Sequence, residues 1–295
     1  MKEPTRRFPP HTWIGLAVLA LVQLGVAVGH PLIATWLTPM AWTGYILAVD
    51  GFVARASGHS WLTTRRREAP FLVLASIGLW LVFEAYNIHL KNWGYLGLPS
   101  NPILRDLGYA WSFATIAPGV FETADLVYIA LRRRRAEGPV KPASDLPGRK
   151  PFWILVGIAM VTIPLALPPA VAAYSFGAVW LGFFFLVDPV NELLGATSLA
   201  RSWRLGHRLP AISLLLAGAL CGFLWEAWNF QAMQAGGAYW VYKLPQGLRV
   251  IDLHFGQMPV LGLLGFPPFA LELFALYNLT KAILGIDRLL AGSAP

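Results

Sequence analysis

The chain has 295 residues, of which 56% are hydrophobic and 13% charged, and its mean hydropathy of +0.55 excludes an ordinary soluble globule. A net charge of +8 invites nucleic acid as a partner. The charges argue against it, because they fall in short clusters between apolar stretches, where basic residues anchor orientation and meet lipid headgroups. The lone cysteine, Cys221, lies within an apolar run; this rules out a disulfide framework and a thiolate metal cluster, and leaves a small packing residue.

A membrane-spanning helix needs about 20 mostly apolar residues, and eight such stretches follow one another. The first, residues 12–29, comes after basic residues as a signal peptide would, but no small-x-small cleavage site follows, so it reads as a retained anchor. The second, 31–53, ends around Asp50, and the third, 70–90, contains Trp80, Phe83, Glu84 and Asn87. A loop over 88–106 carries Trp93, Tyr95 and Leu98-Pro99; the fourth span, 107–131, carries Pro118, Phe121, Glu122 and Asp125. A polar Arg-, Pro- and Gly-rich linker occupies 132–150. The second half then offers spans at 151–167, 170–193 (ending near Asp188), 209–231 (with Trp225, Glu226 and Asn229) and 255–284. Between the last two lies a loop with Tyr239, Trp240, Tyr242, Leu244-Pro245 and Asp252, and the final span holds Pro268, Phe269 and Glu272.

The halves say much the same thing twice. Aromatic-Glu-Ala-aromatic-Asn at Phe83 to Asn87 returns 142 positions later at Trp225 to Asn229. Trp13 pairs with Trp153, Asp50 with Asp188, Pro99 with Pro245 and Glu122 with Glu272, at offsets of 140, 138, 146 and 150. The predicted fold is therefore an all-α polytopic membrane protein of about eight transmembrane helices: a four-helix repeat over 1–131, a basic linker over 132–150 and a second repeat over 151–295. Four spans per repeat give both the same orientation, a parallel rather than an inverted pair. With the N-terminus in the cytoplasm, nineteen of the 23 Lys and Arg lie inside, Arg132 to Arg135 and Arg288 among them, and Lys91, Arg105, Lys243 and Arg249 outside. This positive-inside pattern predicts an inner-membrane protein with both termini cytoplasmic.

Glutamates inside spans are expensive unless used, which makes Glu84, Glu122, Glu226 and Glu272 the candidate catalytic acids. A carboxyl in an apolar site persists as an acid near neutrality, as a general acid for a lipophilic substrate requires. The alternative is helix glue, with Glu84–Asn87 and Glu226–Asn229 as polar clasps three residues apart on one face. At about 1.5 Å per residue, Glu84 and Glu122 sit at different depths. Pro118 and Pro268 each stand four residues before a glutamate and predict a kink there. Trp93, Tyr95, Trp240 and Tyr242 read first as an interfacial belt and second as a lid over an apolar cavity; Trp225, Phe121 and Phe269 are candidate cavity walls. Asp125 and Asp188 read as solvated capping groups. The six histidines are spaced for neither haem nor metal, and no cofactor is expected.

The order Glu-x-x-Asn, Trp-x-Tyr, Pro and then Glu, over 83–122 and again over 225–272, resembles the membrane-integral lycopene cyclases of the bacterial heterodimeric and fungal fused type. That resemblance implies a duplicated helical bundle performing cofactor-free, acid-initiated chemistry on a polyene or other isoprenoid, with Glu84, Glu122, Glu226 or Glu272 as the acid. A single glutamate replaces the adjacent pair of that family, and each half has four spans where the family has three. The competing readings are a proton- or cation-coupled transporter and a non-catalytic subunit of a membrane complex, with membrane lipids as partners in every case.

Overall fold

The computed structural model describes residues 6–133, 149–243, 245 and 253–287. The central linker and the expectations resting on Leu244, Arg249, Asp252, Arg134, Arg135 and Arg288 lie outside these residues. Eight helical segments are long and apolar enough to cross a membrane, and the chain is an all-α polytopic membrane protein. In the first half α1 (Pro10–Ala27), α2 (Pro31–Ser57) and α3 (Ala69–Leu90) cross whole, and the fourth span is broken into α4 (Pro102–Ala114) and α5 (Ile116–Arg132). In the second half α6 (Arg149–Ala166), a short α7 (Pro169–Ala172), α8 (Phe176–Leu193), α9 (Leu199–Arg204) and α10 (Leu209–Gln234) lead to another broken span, α11 (Val260–Leu263) and α12 (Phe266–Leu284).

Both breaks fall earlier than the prolines suggested. Pro118 and Pro267-Pro268 sit in the first turn of α5 and α12, where a helix needs no backbone donor. What the proline forbids is the preceding turn, so Thr115 and Gly265 take the interruption. Ser76 of α3 bridges the first break: its hydroxyl donates to the Phe113 carbonyl at 2.5 Å and accepts from the Ala117 N–H at 2.9 Å. Gly218 holds the equivalent position against the second break, where any side chain would run into the Phe266 carbonyl.

Asp50 and Asp188 do not end their helices; α2 and α8 continue past them to Ser57 and Leu193. Both carboxylates are fully buried, and each is satisfied by the chain that follows. Ser60 Oγ and Leu62 N–H donate to Asp50 at 2.8 and 2.9 Å. Ser198 Oγ, Leu199 N–H and Ala200 N–H donate to Asp188 at 2.8, 2.7 and 3.0 Å. Asp188 thus caps α9 as a buried rather than a solvated group. Asp125 is likewise held, taking the Trp61 indole N–H at 3.2 Å.

The aromatic loops form a sheet between the halves. Strand β1 (Trp93–Leu96) pairs antiparallel with β2 (Tyr239–Tyr242), Trp93 opposite Tyr242 and Tyr95 opposite Trp240. Exchanging each residue for its repeat equivalent returns the same two pairs, as a two-fold relation requires. Gly97 has a positive φ and lies against the Gly237 carbonyl, where a side chain has no room. A second hairpin, β3 (His254–Phe255) with β4 (Met258–Pro259), occurs in the second half, so the eighth span begins later than residue 255. The repeats interlock rather than stand side by side: α5 packs on α10 and α12 on α3. Their polar ends meet at one face, where Arg133 reaches the Ala56 carbonyl at 3.1 Å and Lys281 pairs with Glu68 at 2.9 Å. Burial works against ionisation of Glu68, but the Lys281 ammonium, Arg65 guanidinium and Tyr277 hydroxyl hold its carboxyl below the usual range.

Candidate active site

The interlocking leaves a partly open cavity of about 110 Å³ on the two-fold relation. Equivalent residues face each other across it: Trp42 and Trp180, Trp93 and Trp240, Tyr95 and Tyr242, Ile116 and Phe266. Seven of the chain's 13 tryptophans line it, Trp36, Trp80 and Trp225 completing the set. Trp225 joins its neighbours into a continuous wall, tilted against Trp80 at a centroid distance of 5.8 Å and edge-on to Trp42 and Trp240 at 5.5 and 6.1 Å. Between α2 and α4 the lining turns more polar with Thr35, Ser112, Tyr109 and Arg105.

Behind this wall sit two of the four glutamates. Glu84 Oε1 accepts from Trp80 Nε1 at 2.8 Å, Trp93 Nε1 at 3.0 Å and the Tyr95 hydroxyl at 2.5 Å. Glu226 Oε1 takes the Gln257 N–H at 2.5 Å, and its Oε2 takes the Tyr242 hydroxyl at 3.2 Å. The Tyr242 oxygen in turn accepts from Trp240 Nε1 at 2.6 Å. Each carboxyl therefore reaches the cavity through a tyrosine. Burial and the adjacent carboxylate push both tyrosines well above their ordinary value, so their hydroxyls stay protonated.

The symmetry stops at the cover. The β3–β4 hairpin closes over Glu226, which is fully buried, and gives its Oε1 the Gln257 N–H, while Tyr242 serves Oε2. Glu84 is only partly buried, and its donors converge on one oxygen.

Glu122 and Glu272 do not join this group. The Glu122 carboxyl is buried within α5 and its Oε2 has no hydrogen-bond partner among the described residues, while His11 Nε2 stands 2.8 Å from Asp50. Glu272 Oε1 takes the Phe183 N–H of α8 at 3.0 Å, and so ties two helices together.

Asn87 and Asn229 are not aimed at a ligand either. Asn87 clasps the Trp93 backbone with two bonds of 3.1 Å, and Asn229 clasps that of Trp240 with bonds of 3.0 and 2.8 Å. Both carboxamides fix a strand to the helix that carries the glutamate, and Asn229 Nδ2 also lies 3.4 Å from both Glu226 oxygens, the clasp the sequence spacing suggested. Trp93, Tyr95, Trp240 and Tyr242 turn inward, away from an interfacial belt. Phe269 lies under the wall, 5.7 Å from both Trp80 and Trp180. Phe121 packs elsewhere, against Tyr277 at 5.5 Å.

Trp42 and Trp180 are cavity residues that the sequence pattern did not single out. They share the 138-residue offset of Asp50 and Asp188 and precede them by eight positions each, so the repeat alignment contains the signal. Among the described residues no three His, Cys, Asp or Glu side chains converge as metal ligands would. No protein-family model, curated protein or solved structure matches the chain.

Proposed function

We propose that the protein is an intramembrane enzyme that isomerises or cyclises one end of a lipid-soluble, unsaturated isoprenoid by proton transfer, without a cofactor. The observation that carries this reading is the pair of tyrosine–glutamate couples opening into a tryptophan-walled cavity shared by both repeats. A volume of about 110 Å³ takes a short branched chain end, and the rest of the substrate stays in the bilayer, entering between α2 and α4. Indole faces on all sides are the surroundings a carbocation needs.

The two couples then divide the work. Glu84, with Oε2 open as a resting place for a proton, supplies the acid couple. Its Tyr95 hydroxyl turns from Oε1 to the cavity and passes a proton to one carbon of a C=C bond, whose π electrons form the new C–H bond, and the carboxyl restores the hydroxyl. The neighbouring carbon becomes cationic and is attacked by the next double bond. Glu226, with donors on both oxygens, supplies the base couple. A C–H proton moves to the Tyr242 oxygen as the Tyr242 hydroxyl proton moves to Glu226, and the remaining electron pair closes the product alkene. One proton enters and one leaves, so the substrate is neither oxidised nor reduced. The basic end of the bundle faces the cytoplasm in this reading, as the distribution of Lys and Arg favours.

The test is expression in bacteria that accumulate an acyclic polyene, with extracted lipids compared between the wild type and Glu84→Gln, Glu226→Gln, Glu122→Gln and Glu272→Gln variants at matched membrane levels. A new isomeric lipid should appear with the wild type, vanish with the first two variants and survive in the last two. An unchanged lipid profile with the wild type, or equal losses in all four variants, counts against the proposal.

A further inference from the structure

A second cavity, of about 810 Å³, opens at the basic end of the second repeat, among α6, α8, α9, α10 and α12. Its inner wall is hydrocarbon and aromatic, with Phe184, Phe185, Leu215 and Leu271. Its rim is cationic: Arg149 and Lys150 at the start of α6 and Arg204 at the end of α9, with Trp153 and Trp203 beside them. Two carboxylates also border it. Asp188 is turned inward onto Ser198 and the α9 backbone. Glu192 stands between two of the cations, 2.9 Å from Lys150 and 2.6 Å from Arg204. Arg149 has no carboxylate partner among the described residues.

We infer that this cavity binds an anionic amphiphile, with a phosphate head on Arg149, Lys150 and Arg204 and a hydrocarbon tail along Phe184, Phe185 and Leu215. Guanidinium groups recognise phosphate oxygens in paired fashion, and a cationic rim over an apolar wall at the membrane interface is the arrangement such a ligand requires. The feature is not a by-product of the duplication. At the offsets that relate the repeats, Lys150 corresponds to Pro10 and Glu192 to Ala54, and there Phe8 packs on Trp13 and Phe52 at 5.7 and 5.3 Å. There Arg55 lies over the Phe8 ring at 4.5 Å, so the cation of the first repeat meets an aromatic face. Glu192 keeps the unoccupied rim neutralised and competes with the incoming phosphate. The site is separate from the tryptophan cavity and does not depend on the chemistry proposed there.

The experiment uses full-length protein delipidated in a neutral detergent, titrated with dioleoylphosphatidylglycerol, dioleoylphosphatidylcholine or farnesyl monophosphate, and read by native mass spectrometry. Phosphatidylglycerol should bind in preference to phosphatidylcholine. Arg149→Gln and Arg204→Gln should each weaken it by roughly fivefold, the worth of one cation near an anionic lipid. Glu192→Gln should strengthen it, because it releases Lys150 and Arg204; a purely structural ion-pair cluster would instead loosen. Leu215→Trp, which narrows the apolar wall without altering charge, should weaken binding. If farnesyl monophosphate outcompetes phosphatidylglycerol, the natural occupant is a prenyl phosphate; the reverse order makes it a bilayer phospholipid. Equal binding of phosphatidylglycerol and phosphatidylcholine, or weaker binding by Glu192→Gln, overturns the inference.

Discussion

Tyr95→Phe and Tyr242→Phe remove the same atom from equivalent positions, yet the bonds around the two hydroxyls dictate unequal costs. The Tyr95 hydroxyl makes one bond, to Glu84 Oε1 at 2.5 Å, and that oxygen keeps the Trp80 and Trp93 N–H groups at 2.8 and 3.0 Å. Removing it deletes one charge-assisted bond and leaves no buried donor or acceptor unpaired, a loss of about 1–2 kcal/mol. The Tyr242 hydroxyl stands in series, accepting from Trp240 Nε1 at 2.6 Å and donating to Glu226 Oε2 at 3.2 Å. Its removal deletes two bonds and strands the Trp240 indole N–H against an apolar wall, for about 3–4 kcal/mol in all.

The difference of about 2 kcal/mol corresponds to a melting temperature about 4–8 °C lower for Tyr242→Phe, at roughly 2–4 °C per kcal/mol. Intrinsic fluorescence of the detergent-solubilised protein measures this directly. Both tyrosines are held protonated far into the alkaline range by burial and their carboxylates, so neither hydroxyl titrates between pH 7 and 9. Turnover should fall in both variants, by about 10²–10⁴ if each hydroxyl relays a proton. The catalytic losses should thus be comparable while the stability losses are not. Equal destabilisation, or a larger effect for Tyr95→Phe, refutes the series arrangement at Tyr242.

Three further outcomes follow from the packing. Ser76→Ala unpairs both the Phe113 carbonyl and the Ala117 N–H at the break in the fourth span, and should cost about 2–4 kcal/mol in thermal unfolding. Gly218→Ala drives a methyl group into the Phe266 carbonyl, whereas Gly78→Ala meets nothing; the first should lower the melting temperature sharply and the second should leave it level or raise it slightly. At Glu68 the folded-state pKa is depressed, so its contribution is complete above the ordinary glutamate value of about 4.3 and is lost as pH falls through the folded value. The stability gap between wild type and Glu68→Gln should therefore be widest near neutrality and narrow in acid; a gap that is flat or widens below pH 4 contradicts the pairing with Lys281 and Arg65.

Hydropathy made the eight spans legible, because the cost of a polar residue in hydrocarbon acts on every position alone. Their edges were less so. The sixth span starts at Phe176 because Pro168-Pro169 open a separate short turn, and the eighth span waits for a hairpin. The β1–β2 sheet was not readable at all: its partners lie in different repeats, and no local pattern distinguishes a four-residue strand from an aromatic loop. The solvated cap expected at Asp188 failed for the opposite reason. The cost of burying an aspartate is visible in the sequence and its remedy is not, although a serine follows both Asp50 and Asp188 by ten positions, as Ser60 and Ser198. That repeated spacing is the signal that the pairing of halves offered.

The glutamates show most clearly what a duplication does and does not specify. Sequence equivalence placed Glu84 with Glu226 and Glu122 with Glu272, and the fold keeps those pairs apart as two kinds of site. The first kind opens through tyrosines into the shared cavity; the second is buried among the helices, with Glu272 bound to the α8 backbone. Within the first kind, divergence lies outside the motif: the hairpin at 254–259 covers Glu226 and has no counterpart over Glu84. In the chemistry proposed above the two couples hold different roles, and the hairpin over Glu226 is the difference in their surroundings on which that division rests.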